Sequence, residues 1–468
     1  MRPITASAQS GLCRGAALVV LSALVLAAAQ PMAEAKPSRL SAKARGALSQ
    51  LRGTRGCVGA PSARKANCAT ARALKGPGPF MGSRAIAVSP DGDNVYVASS
   101  TSNAIAIFDR DKQTGTLSQP SGKGGCISSR GAGGCARAVG LIGPNSIAVS
   151  GNGRNVYATS RTTSSVTSFA RNRKTGALRQ LPGGCISGSP LPACTVGQAL
   201  LAPDVIVASR DGKNVYAGSF FGNSVAAFSR DASTGALSQL AGAAGCIAEA
   251  TSGCAPGIAM GAIEGLAITG DGTSLYTGSA LSNAVAILTR DPSTGALTQA
   301  TDGTGCIVDA PLTDCVTGVQ LAGANAVALS PGEGQAYVTS LLSNSVTSFD
   351  HGTLTQKQGT AGCLVFLRAV GCSFGRAMSA PEGVDVAPDG KNVYVAAFTT
   401  GAIDVLNRNP ATGRVAQKAG HVGCLGRSLG CKPARATGGA SSIAISPDGR
   451  YVYMTSFSSN AVDVFRRK

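Results

Sequence analysis

Fourteen of the fifteen cysteines in this chain of 468 residues fall into short pairs: Cys57 with Cys68, Cys126 with Cys135, Cys185 with Cys194, Cys246 with Cys254, Cys306 with Cys315, Cys363 with Cys372, and Cys424 with Cys431. Each pair is opened by a Gly-Cys dipeptide and closes within a few residues, which suits local disulfides in an oxidising compartment. Zinc is the competing chemistry. It is disfavoured because no C-x-x-C spacing occurs and the chain holds two histidines, His351 and His421. No metal or other cofactor is expected. A second set of candidates recurs at one position of a repeated segment: Arg84, Asn145, Asp204, Glu264, Asn325, Glu382 and Ser441. Brought together, such varied polar residues would either line a ligand site or satisfy strand ends. Three further acids, Asp385, Asp404 and Asp463, stand where equivalent segments carry small or neutral residues. Buried carboxylates need partners, so these are expected to brace an internal network; a metal would want six or more oxygens.

The elements that must position these residues repeat. SPDGDNVYVASSTSNAIAIFDRDKQTGTLSQ from Ser89, SRDGKNVYAGSFFGNSVAAFSRDASTGALSQL from Ser209 and TGDGTSLYTGSALSNAVAILTRDPSTGALTQ from Thr269 are versions of one unit. Tyr96, Tyr157, Tyr216, Tyr276, Tyr337, Tyr394 and Tyr453 mark its occurrences at steps of 57 to 61 residues. A fixed period of this size means an array of one supersecondary unit. Each unit holds four strand candidates, for example IAVS, NVYVAS, NAIAIF and GTLSQ. An Asp-Gly or Asn-Gly hairpin turn separates the first two, and Arg-Asp-x-x-Thr-Gly separates the last two. The first strand alternates bulky with small, Ile86 and Val88 against Ala85 and Ala87, as in a strand covered on both faces where sheets stack radially.

The expected fold is therefore all-β: a seven-bladed β-propeller of four-stranded antiparallel blades. The chain ends after a third strand, NAVDVFRRK, whereas residues 46–51 read GALSQL, the missing fourth. This N-terminal strand is expected to complete the last blade, closing the ring without a free edge.

Arg2 and Arg14 precede an apolar run, 16–29, and Ala33-Glu34-Ala35 then has the small-x-small form of a cleavage site. The expected organisation is a signal peptide at 1–35, a basic segment at 36–45 and one propeller at 46–468. A retained anchor is the alternative, although the run is short against the ~20 residues of a spanning helix. The mature protein is expected to be secreted, monomeric and free of a membrane span. Removing Arg2, Arg14 and Glu34 leaves 40 basic and 22 acidic residues, and 36–75 contains ten basic and no acidic residue. That charge suits an anionic surface polymer. Nucleic acid is not expected as a partner, because stacking aromatics are missing from that stretch. The second-to-third loops carry Phe220-Phe221, Ala280-Leu281, Leu341-Leu342, Phe398 and Phe457, a rim suited to a protein or glycan.

The patterns S-P-D-G-x-x-V-Y-V-A-S and N-x-V-x-V-F-x-R-D-x-x-T-G-x-L resemble those of the YVTN-type and lactonase-like seven-bladed β-propellers, over about 46–468. The resemblance implies charged residues at a channel mouth, often Arg and Glu with a His, and hydrolysis of lactones. Arg84, Glu264 and Glu382 would supply part of such a catalytic set. His351, in a shortened third-to-fourth turn, and His421, before a cysteine loop, are misplaced for it. Two functions stand open. The expected one is a secreted, non-catalytic binding scaffold acting through its disulfide-clipped loop face; the alternative is a lactonase-like hydrolase of lactones or cyclic esters at the channel mouth.

Overall fold

The computed structural model describes residues 45–78, 84–332 and 334–468, so the expected signal peptide at 1–35 and the basic segment up to residue 44 lie outside the described residues. Seven small sheets follow one another along the chain, each an antiparallel meander around a common axis. In the third blade the inner strand Pro203–Ala208 pairs with Asn214–Ser219, which pairs with Ser224–Arg230. Among the described residues no helix is long and apolar enough to cross a membrane.

The fourth strand is longer than its sequence signature, and it is broken. Leu237–Gln239 pairs with the end of the third strand, a short 3-10 turn follows, and Cys246–Ala248 resumes pairing farther along the same strand. After the second cysteine of the pair, Ala255–Pro256 adds a short parallel strand outside Cys246–Ala248. The cysteine segments, expected to be loops without regular structure, are thus strand edges. The reason is geometric: the Cys246 and Cys254 Cα atoms are 4.8 Å apart, the spacing of neighbouring strands, so the disulfide staples the parallel strand in register. All seven expected disulfides are present.

The ring closes as the chain ends suggest. Leu48–Gln50 and Cys57–Gly59 both pair with Ala461–Arg467, Leu48 opposite Arg467 and Cys57 opposite Asp463. Between blades the core is apolar, aliphatic and aromatic together: Tyr96, Ile105 and Ile107 of the first blade pack on Ile147, Val156 and Phe169 of the second.

Directional contacts hold these apolar seams in register. The buried Tyr216 hydroxyl donates to the Gly295 carbonyl of the next blade at 2.8 Å and accepts from Arg290 Nε at 2.9 Å. Arg290, 1% exposed, spends its remaining donors on the Gly272 carbonyl, Asn214 and Asp211. The same bridge joins Tyr96 to Arg171 and Gly176, Tyr157 to Arg230 and Gly235, Tyr337 to Arg408 and Gly413, and Tyr453 to Arg110 and Gly115. Across the closure Tyr394 meets Arg467 and the N-terminal Gly46. The turn glycine is obligatory: Gly295 has φ of +85°, and a Cβ there would lie 2.0 Å from the Asn214 amide nitrogen. The seam between the fourth and fifth blades differs. There the shortened turn sets His351 against the Tyr276 ring, 5.6 Å between centroids, and the Gly352 N–H donates to the Tyr276 hydroxyl.

A second clip also recurs seven times. The glutamine of each L-S-Q-like strand binds both backbone groups of one residue in the segment arriving from the preceding blade. Gln299 accepts from the Ile258 N–H at 2.7 Å and donates to its carbonyl at 3.1 Å, and also to the Gly305 carbonyl. Gln50, Gln119, Gln180, Gln239, Gln356 and Gln417 do the same. Tyr216→Phe strips Arg290 of an acceptor and Gly295 of a donor inside a dry seam, and is expected to lower unfolding free energy by about 1–3 kcal/mol in denaturant titration. Unchanged stability would show that the bridge is incidental.

Candidate functional site

The central channel holds a cavity of about 870 Å³. Its walls are the later residues of the inner strands, such as Ile147, Val149, Ile206, Ile268 and Leu329, and its rim includes Pro90, Arg210, Asp271 and Pro331 from the first-to-second turns. It therefore opens on the face opposite the disulfide loops. The inner strands are covered on both sides only in their first half; Val88, Val149, Ala208 and Leu329 are half-buried because the second half borders this space.

The polar residues expected to line a mouth on the disulfide face do not do so. Asn145, Asp204, Glu264, Asn325, Glu382 and Ser441 are each at most 2% exposed. In all six blades the pairing of inner and second strand shifts register at this position, between Pro144 and Ser146 in one and between Pro203 and Val205 in the next. A bulged residue leaves the strand's alternation and its side chain is re-aimed, here into the protein.

Within this buried layer the Asn145 amide donates to Asp204 Oδ1, and Arg161 Nη1 lies 3.7 Å from the same oxygen. Asn325 donates to the Pro381 carbonyl and accepts from Thr339, while Ser441 and Thr455 share a hydrogen bond at 2.9 Å. Neither carboxyl oxygen of Glu264 has a hydrogen-bond partner among the described residues. Burial pushes the Asp204 carboxyl up to about 7. Burial first, then the neighbouring Asp204 and Glu382 carboxyls, raise Glu264 well above the usual glutamate range. Arg161 was not singled out by sequence. Its signal is that equivalent positions in the other second-to-third loops are uncharged: Ser100, Phe220, Ala280, Leu341, Phe398 and Phe457. Its guanidinium lies over the Phe220 ring at 4.2 Å.

Arg84 alone of the expected set reaches the open cavity. Its partner is neither Glu264 nor Glu382 but Asp385, with Nη2 3.9 Å from Oδ1. Asp385 is gripped by two backbone donors, its own neighbour Val386 at 3.0 Å and Ile445 of the seventh blade at 3.2 Å. It bridges blades as expected, and about a fifth of its side chain, 22%, remains exposed to the channel. Burial raises its pKa and the Arg84 guanidinium opposes that rise. Asp404 and Asp463 stay within their own blades. Asp404 accepts from Gln417, Asp463 accepts from Gln50 and Ser456, and burial raises both well above the usual range. His351 packs on Tyr276, and His421 lies in the Gly420–Gly423 turn; neither lines the cavity. Among the described residues no group of three or more His, Cys, Asp or Glu could hold a metal ion.

Comparison with known proteins agrees with this architecture. The model of the family described as "Lactonase, 7-bladed beta-propeller" matches residues 132–244, a stretch containing Asn145, Arg161 and Asp204 but neither Arg84 nor Asp385. No curated protein sequence matches. Among solved structures, a proposed 6-phosphogluconolactonase from Bacteroides uniformis is similar with 19% identity and a TM-score of 0.52, over 78% of this chain and 88% of that one. A second proposed 6-phosphogluconolactonase, from Bacteroides fragilis, gives 17% and 0.50 over 83% and 90%. Kuenenia stuttgartiensis hydrazine synthase gives 17% and 0.50 over 83% and 97%. The chain is a seven-bladed β-propeller, one stretch of which matches the lactonase propeller family, and likeness at these identities concerns the fold alone.

The buried acids carry a pH signature. Asp204 has a folded pKa of about 7 against an ordinary 3.8, so its stabilising contribution is complete below 3.8 and is lost as pH rises through about 7. Glu264 is shifted in the same direction. The melting temperature is expected to fall between about pH 4 and about pH 7, and Glu264→Gln to flatten that fall. A wild-type profile that rises over this window would contradict the assignment.

Proposed function

We propose that the open channel is the working site and that it takes a small cyclic ester, hydrolysed by the Arg84–Asp385 pair. The observation that carries this is the pair's place: a cation and an oriented carboxylate inside a cavity whose walls are otherwise largely aliphatic. A volume of about 870 Å³ falls within the range of small-molecule sites, where apolar walls bury the ligand body and a few polar groups orient it. The family match and the lactonase-like neighbours support the substrate class.

The two groups complement the reaction. The Asp385 carboxylate is fixed by two N–H donors and keeps free lone pairs to take a proton from water. That water adds to the lactone carbonyl carbon, and Arg84 stabilises the negative charge that develops on the carbonyl oxygen. The ring C–O bond then breaks, and the proton held by Asp385 passes to the departing alkoxide. The product is an open hydroxy acid whose new carboxylate faces Arg84. A pKa raised by burial makes Asp385 a stronger base than an exposed carboxylate, so turnover should increase with pH as it ionises.

Purified protein assayed against a panel of aliphatic lactones is expected to turn over at least one of them. Asp385→Asn and Arg84→Ala should each reduce kcat by about 100-fold or more, Arg84→Ala with the melting temperature little changed and Asp385→Asn with about 1–3 kcal/mol of stability lost, since an amide accepts only one of the two N–H bonds. Glu264→Gln, buried behind the cavity, should stay within about twofold of wild type. Activity that survives Asp385→Asn, or that disappears with Glu264→Gln, would place the chemistry in the buried layer instead.

A further inference from the structure

The face opposite the open channel has its own pattern. Every exposed large apolar side chain among the described residues falls in a second-to-third loop or in a segment between a fourth strand and the next inner strand. Antiparallel order brings both kinds of segment to the disulfide face. None falls in the first-to-second or third-to-fourth turns of the opposite face. The most prominent are loop tips: Phe221, Leu281 and Leu342 between second and third strands, and Leu367, Val370 and Leu429 inside disulfide loops. Val370 and Leu429 are as exposed as in an open chain, 106% and 100%.

The preceding residues of the second-to-third loops, Phe220, Leu341, Phe398 and Phe457, are half-buried. The exposed tips are therefore held outward on a packed base. Disulfides and glutamine clips fix the segments that carry Leu367, Val370 and Leu429, so little ordering remains to be done there on binding.

Charge on the same segments is one-sided. Arg64, Lys65, Arg130, Arg137, Arg368 and Arg427 are exposed there. The acids on these segments are Glu249, Asp309 and Asp314, and Glu249 is occupied by the Met260 N–H. The occupant is thus anionic at its surface and apolar just below. The apolar tips are scattered, one or two to a blade, with basic side chains between them. A folded protein would need a separate hole for each tip, and an anionic polymer gains nothing from a leucine. A fluid phase closes around every tip independently.

We infer that the disulfide face docks on the surface of a lipid bilayer containing anionic headgroups, with its loop tips entering the interface and its arginines and lysines among the phosphates. The docked molecule keeps its channel mouth toward solvent, because that mouth lies on the opposite face.

Vesicle co-sedimentation tests this with the purified, disulfide-intact protein. Vesicles of phosphatidylglycerol mixed with phosphatidylcholine are expected to bind it, pure phosphatidylcholine much less, and high salt to weaken binding. The triple variant F221S/L281S/L342S alters exposed tips and should keep the wild-type melting temperature while losing about tenfold or more in vesicle affinity. Failure of the wild type to bind the anionic vesicles overturns the inference. So does equal binding by the triple variant, or retention on an anionic polysaccharide that the triple variant matches. Lactone turnover in solution is a separate readout, so loss of either result leaves the other interpretable.

Discussion

The tyrosine–arginine–glycine bridge between neighbouring blades is the contact on which the rest of the molecule depends. Each seam of the ring is otherwise apolar, and dispersion between apolar faces selects only weakly between one register and its neighbour. A guanidinium placed in such a seam would be costly unless its donors were all met. Arg290 meets them with one tyrosine hydroxyl, one turn carbonyl and the side chains of Asn214 and Asp211, and no slipped register could supply the same four. The tyrosine stays neutral for the same reason, its pKa pushed up to about 12 by burial at Tyr216. In the six repeats that carry it, the strand-ending arginine and the Asp-Gly and Thr-Gly type turns are therefore parts of one joint that spans two blades.

The same joint explains the closure. The sixth blade's Tyr394 needs a turn glycine from the seventh, and the chain supplies it from Gly46 at the opposite end of the described sequence. The fourth strand of the last blade then follows directly, Gln50 finds Arg435 as every other glutamine finds its partner, and Asp463 gains a donor. One contact therefore sets where the N-terminal strand must lie. The disulfides act at another level: they hold the outermost strand within a blade edge and do not cross seams.

The repeat was legible because its residues recur by identity at a constant period: the blade number, strand order, composite last blade and cysteine pairing can all be taken from the sequence. The site was less legible for two physical reasons. Alternation assumes an unbroken strand, and the bulge at Asn145, Asp204, Glu264, Asn325, Glu382 and Ser441 breaks it where it matters, turning an expected lining into a buried layer. Asp385 was visible as an acid at the Ala87 position, but that position borders the channel lumen, which a pattern of bulky and small residues cannot distinguish from a packed interface. The glutamines were visible too. Their role depends on a backbone 37 to 47 residues earlier in sequence, or across the ring closure, and a repeat pattern carries no such distance.

The buried layer also decides how the two faces relate. Burial raises the pKa of Asp204 and of Glu264, and the neighbouring Asp204 and Glu382 carboxyls add to the rise at Glu264. A buried layer filled by side chains lies between the disulfide face and the cavity. Arg84 and Asp385 sit on the cavity side of it; the basic residues of the disulfide face sit on the other. Charge changes on the disulfide face are thus separated from the Arg84–Asp385 pair by packed protein as well as by distance. The fold thus places packed protein between the proposed docking face and the proposed channel site, so substitutions at one are expected to leave the other intact.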